Sequence, residues 1–244
     1  MLAALLGLTV AYEVPKVVPG KPSRTVVLTY HDIIPKRTKT SVWFDCTVDE
    51  FRQQLDWLTK QGAKFSSVTD LKQSITGKAV PPPTVVITFA DGYRGFYDYA
   101  LPELRKRKIP VAMFVHTGYV GVKIGRPKMT WNQLRECQRY GVTVASQTSS
   151  HPADITKLSD DKVKSEYMVS LLRLRSELGP NIPLYLAYPN GKYDDRTANL
   201  AKQVGYEMAF TEAQRPAECA ASIFLVPRYV HTKYKEAWRA VSRK

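Results

Sequence analysis

The chain alternates short apolar runs with stretches of helical period, and that alternation restricts it to α/β architectures built on a parallel sheet. The sharpest run is Val85-Val86-Ile87-Thr88-Phe89-Ala90-Asp91-Gly92-Tyr93, apolar until it ends in a carboxylate and a glycine. Bounded upstream by Pro81-Pro82-Pro83, its β-branched and aromatic residues read as a strand buried on both faces. In parallel α/β folds the ligand site lies at the carboxyl ends of the strands. This strand would therefore deliver Asp91 to the mouth, with Gly92 allowing the sharp turn behind it. Taken alone, a solvated Asp at a strand-to-loop turn explains the pattern equally well. A second stretch, Ser146-Gln147-Thr148-Ser149-Ser150-His151, also closes a buried run and moves the balance toward function.

Taken in order, Val26 to Ile33 is the first strand and Val48 to Gly62 the first helix, with Thr47 and Glu50 spaced as a capping box. Lys64 to Val68 makes a second strand, and a short helix from Val68 to Ser74 stops near Gly77. Beyond Asp91, a helix over Tyr97 to Lys108 leads to a fourth strand, Val111 to His116, and a glycine-containing loop, Gly118 to Lys128. Trp131 to Tyr140 is a helix closed by Gly141, and Val142 to Ser146 is the fifth strand. The longest helix, Ser159 to Leu178, stops at Gly179-Pro180. Leu184 to Tyr188, a helix over Asp194 to Val204, Met208 to Thr211 and a last strand over Ile223 to His231 complete the series. Units of this length predict one α/β domain, a distorted (β/α) barrel of about seven strands over residues 23–244, rather than two domains.

With 44% hydrophobic residues the chain can bury a sizeable core, so disorder is excluded. Cys46, Cys137 and Cys219 are far apart and form neither a zinc ribbon nor a disulfide framework. The net charge of +14 is scattered along helices. A solvated basic surface accounts for it, with attraction to anionic cell-surface polymers as the alternative. Nucleic acid is not expected, because charge without a recognition motif is weak evidence. Met1 to Ala11 is apolar but too short to span a bilayer. It resembles the remnant of a secretory signal without its positive n-region, and Glu13 to Pro22 would be the tether that follows. The expectation is a secreted or cell-envelope-associated monomer.

Four segments in order, Leu28-Thr29-Tyr30-His31-Asp32, Thr88-Phe89-Ala90-Asp91-Gly92, Gln147-Thr148-Ser149-Ser150-His151-Pro152 and Ala187-Tyr188-Pro189-Asn190-Gly191, resemble the polysaccharide deacetylases of the NodB-homology type, the fourth carbohydrate esterase family. The branch they look most like is the biofilm poly-β-1,6-N-acetylglucosamine deacetylases. The resemblance implies a divalent metal, taken to be zinc, and hydrolysis of N-acetyl groups on a hexosamine polysaccharide. It implies a metal ligand at Asp91, a second at His151 and a third at position 147. It also implies a general base at position 90, a late general acid for which His231 is the nearest match, and substrate contacts from Tyr30, His31, Tyr93, Tyr188 and Pro189.

Two positions depart from that pattern. Ala90 puts a methyl where the base carboxylate stands, and losing a general base typically costs ~10²–10⁴ in rate. Gln147 puts an amide where the family has a histidine, a poor zinc donor, so the metal should be weakened or absent. Two readings follow: a metal-dependent N-deacetylase of impaired activity, or a non-catalytic carbohydrate-binding pseudoenzyme keeping the aromatic groove of Tyr93, Trp131, Tyr188 and Tyr193.

Overall fold

The computed structural model describes residues 16–17, 20–77 and 82–242. The apolar segment Met1 to Ala11 lies outside the described residues, as do residues 13–15 and 18–19 of the tether and Pro81. In chain order the strands are β1 (Thr25–Tyr30), β2 (Ile33–Ile34), β3 (Cys46–Thr47), β4 (Lys64–Ser66), β5 (Thr84–Phe89), β6 (Val111–Val115), β7 (Thr143–Ser146), β8 (Tyr185–Ala187), β9 (Met208–Phe210) and β10 (Tyr229–Val230). The α-helices among the described residues are α1 (Val48–Lys60), α2 (Val68–Thr76), α3 (Leu101–Lys106), α4 (Trp131–Arg139), α5 (Asp160–Leu178), α6 (Asp195–Val204) and α7 (Tyr234–Ser242).

The main sheet runs β10-β1-β5-β6-β7-β8-β9, with β4 also paired to β5. Every pairing in it is parallel. Strand β5 is central: β1 pairs with its whole length, β4 with Thr84 to Val86 and β6 with Ile87 to Phe89. All six residues of β1 and of β5 are buried, as a doubly covered parallel strand requires. The capping box of α1 is present, Thr47 Oγ1 accepting from the Glu50 amide at 3.2 Å and Glu50 Oε2 accepting from the Thr47 amide at 2.8 Å.

Two expected elements come out differently. The helix expected over Tyr97 to Lys108 opens as a π-helical turn, Phe96–Ala100, before α3. Pro102 has no N–H to donate to the preceding turn, so the backbone widens there. Of the last strand expected over Ile223 to His231 only Tyr229–Val230 is strand. The Leu225 amide closes a turn on Ser222, and Pro227 cannot donate to a ladder. That segment nonetheless runs from the β9 edge of the half-barrel back to β1. Val226 exchanges backbone hydrogen bonds with β9 through Thr211 and Ala209, and Tyr229 and Val230 lie on β1.

Candidate metal centre

Strands β5, β6 and β7 are neighbours, so the residues just past their carboxyl ends meet. They are Asp91, His116 and the loop Gln147 to His151. The β6 and β7 loops are laced together: the Thr117 amide donates to Thr148 O at 3.2 Å and the Gly118 amide to Ser149 O at 2.9 Å. Any Cβ at Gly118 would sit 2.9 Å from that Ser149 oxygen, so only glycine allows the approach. From outside, Glu166 of α5 accepts from the Ser149 and Ser150 amides at 3.0 and 2.8 Å. Asp91, Thr148, His151 and Asn190 all adopt positive φ. Such backbone costs of order 1–3 kcal/mol per residue and persists where surrounding contacts over-determine it.

Asp91, His116 and His151 each present one ligand atom, all within 4.8 Å of one another. His116 Nε2 lies 3.2 Å and His151 Nε2 3.7 Å from Asp91 Oδ1. Donors around a tetrahedral zinc lie ~3.3 Å apart, so this spacing fits a small divalent ion. Both ring nitrogens of His116 are buried, and apart from the Asp91 carboxylate facing Nε2 neither has a polar partner among the described residues. An imidazole left so costs free energy that a metal bond would offset. Burial pushes the His151 imidazole down to about 4, against the pull of Asp91, so near neutral pH it is an uncharged donor. Burial alone would raise Asp91, but His116 beside it and the charges of His31 and Lys128 hold it well below the usual carboxylate range.

Gln147 stands next to this group as a brace. Its Oε1 accepts from the Asp91 amide at 2.7 Å, and its Nε2 lies 3.2 Å from His151 Nε2. His116, from the neighbouring strand, completes with Asp91 and His151 a cluster that could hold a metal, beside Gln147, the position expected to give the third ligand. Sequence reasoning placed His116 at the end of the fourth strand and gave it no role. The signal was the one used for Asp91, a polar residue closing a buried apolar run.

The centre opens into a cavity of about 290 Å³ whose walls include His31, Trp43, Phe44, Asp91, His151 and Glu212. Of the other expected site residues, Ala90 and Tyr30 are fully buried. Tyr30 stacks on Phe89 at 5.2 Å and donates its hydroxyl to Gln54 Oε1 at 2.9 Å, which makes it core rather than wall. His231 is buried behind the cavity walls His31 and Phe44, its ring stacked on Tyr30 at 5.0 Å and its Nδ1 3.4 Å from Gln54 Nε2. Burial and the neighbouring His31 push it down to about 4. Tyr93 is mostly buried, with Lys128 Nζ 3.3 Å above its ring. Tyr188 and Pro189 are buried, Tyr193 stacks on Tyr188 at 5.6 Å, and Trp131 packs on the core with Arg173 5.7 Å over its ring.

A family model described as polysaccharide deacetylase matches residues 77–209, more than half of the 244 residues. The chain belongs to the polysaccharide deacetylase family. It is 26% identical over 200 residues to YxkH of Bacillus subtilis, covering 78% of this chain and 65% of that protein. It is 28% identical over 199 residues to the poly-beta-1,6-N-acetyl-D-glucosamine N-deacetylase of Staphylococcus epidermidis, covering 76% of this chain and 67% of that one. The match thus spans just under two thirds of YxkH. Among solved structures, the Streptococcus pyogenes deacetylase PplD in complex with acetate superposes with a TM-score of 0.80 at 25% identity, over 92% of this chain and all of that one. This family member has a parallel half-barrel like that of its structural neighbour, with the Asp91, His116, His151 cluster at its mouth.

Proposed function

We propose that this family member is a metal-dependent hydrolase of N-acetyl groups on a poly-N-acetylglucosamine-type polysaccharide. The observation that carries the reading is the convergence of one carboxylate and two imidazoles, one of them without any other partner, at the mouth of a parallel barrel. Asp91, His116 and His151 would hold the metal, and a one-carboxylate, two-imidazole set suits zinc. When bound, such an ion polarises the acetyl carbonyl and acidifies water. Gln147 fixes Asp91 through its backbone and sets the His151 ring, and the exposed Trp43 with Phe44 offers flat apolar faces suited to sugar rings. With such a polysaccharide as substrate, the protein would act secreted or on the cell envelope, and we propose that it does so as a monomer.

Elemental analysis should find about one equivalent of zinc per chain, and acetate release from N-acetylglucosamine oligomers should stop on chelation and return with zinc. The second reading, a carbohydrate-binding pseudoenzyme, is favoured by Ala90, which offers no proton acceptor at the family's base position. Zinc-loaded protein that binds oligomers yet releases no acetate would establish it against the hydrolase.

A further inference from the structure

A hydrolysis of this kind needs a group that takes a proton from water, and a methyl at position 90 cannot. Two carboxylates line the cavity, Asp91 and Glu212. Asp91 is committed to the two imidazoles. Glu212 follows β9 by two residues, and its position is tightly set. A Cβ at Gly191 would come within 2.8 Å of Glu212 Cβ and 2.9 Å of its amide nitrogen, so only a glycine at 191 leaves it in place. The fully buried Arg228 holds it from the other side. Arg228 Nε donates to Thr211 O at 3.1 Å, Nη2 lies 3.4 Å from Glu212 Oε1, and the guanidinium sits 5.5 Å over the Phe114 ring. Arg228 Nη1 is buried with no hydrogen-bond partner among the described residues.

A buried guanidinium stays charged and must be balanced by nearby anions. The anions within its reach are Glu212 and Asp91. This pairing engages one Glu212 oxygen and leaves Oε2 with no protein partner among the described residues. The same carboxylate acts electrostatically on His31, another wall of the cavity.

We propose that Glu212 is the proton acceptor of this site, taking over from position 90 just past β5, with Arg228 as its positioning residue. The assignment rests on the hydrolase reading above. Water transfers one proton to Glu212 Oε2 as its oxygen bonds to the acetyl carbon. The carbon–nitrogen bond then breaks, the nitrogen takes the proton back from Glu212, and acetate and the free amine leave without any further reactant.

The test compares wild type, Glu212→Gln and Glu212→Asp for acetate release, bound zinc and affinity for N-acetylglucosamine oligomers. Glu212→Gln keeps an acceptor for Arg228, and Glu212→Asp keeps the charge while withdrawing it by one methylene. Both should lower kcat, Glu212→Gln by ~10²–10⁴-fold, with zinc content and oligomer affinity unchanged. Wild-type kcat in either variant, or loss of zinc from Glu212→Gln, would overturn the assignment while leaving the hydrolase reading standing. Zinc-loaded wild type that releases no acetate would overturn both.

Discussion

On the proposed reading His116 is a metal ligand and Gln147 a brace beside it. His116 offers an imidazole whose Nε2 faces Asp91 Oδ1 at 3.2 Å, whereas both polar atoms of Gln147 are already engaged. Replacing His116 with alanine should therefore remove most of the bound zinc. Gln147→Ala should keep the metal and weaken its affinity by ~10–100-fold, the usual effect of losing a group that orients a ligand. Equilibrium dialysis of the two variants distinguishes the roles. Elsewhere at residue scale, burial pushes the Asp32 carboxyl up to about 6, against the pull of Arg126. Below about pH 4 both folded and unfolded chains hold that proton, and Asp32 costs nothing. As pH rises from about 4 to about 6 the unfolded chain ionises first, so stability is lost through that window and the loss is constant above it. Relative to Asp32→Asn, which stays neutral, wild type should lose on the order of 2–3 kcal/mol between pH 4 and 7. Urea unfolding at several pH values reads this directly, and an unchanged difference would show that Asp32 is solvated.

At the scale of elements, the site depends on α5 more than on the strands that carry its ligands. Glu166 on that helix accepts from two amides of the His151 loop and from the Ser150 hydroxyl at 2.5 Å. Ser170, one turn on, meets Ser146 at 2.8 Å, and Tyr206 donates to the same hydroxyl at 2.8 Å. The loop backbone keeps its positive φ at Thr148 and His151 because these contacts hold it. Glu166→Ala leaves every metal ligand in place. It should nevertheless lower zinc affinity by ~10-fold or more and cost about 1–3 kcal/mol of stability through two unsatisfied amides. A variant with wild-type zinc affinity would mean that the β6 loop alone fixes His151.

For the molecule as a whole, the net charge of +14 and the proposed neutral substrate make separable demands. Attraction of a basic surface to anionic polymers is screened as the Debye length falls from about 8 Å at physiological salt to about 3 Å at 1 M. Binding of an uncharged N-acetylglucosamine oligomer in the cavity involves no such term. Retention on an anionic polysaccharide matrix should therefore vanish across that range while the oligomer Kd stays within about twofold. Oligomer affinity that falls in parallel would place the ligand on the basic surface instead of in the cavity.

Local sequence was sufficient for whatever a strand or helix decides by itself. The β-branched run of β5 buries on both faces wherever it is placed, and Thr47 and Glu50 close a capping box between neighbours three residues apart. Asp91 and His151 were legible for the same reason, since each follows a buried run at a fixed short distance. His116 and Glu212 follow such runs too. Their importance depends on which strands are neighbours, because β6 lies between β5 and β7, and on Arg228 returning from the far end of the chain beside β9. Where Tyr30 and His231 point was likewise not legible, since a residue at a strand end can turn inward onto Gln54 as readily as outward to the mouth. Periodicity fixes which residues are buried along one element, but the meeting of side chains from different elements is a property of the closed sheet, and only the tertiary structure decides it.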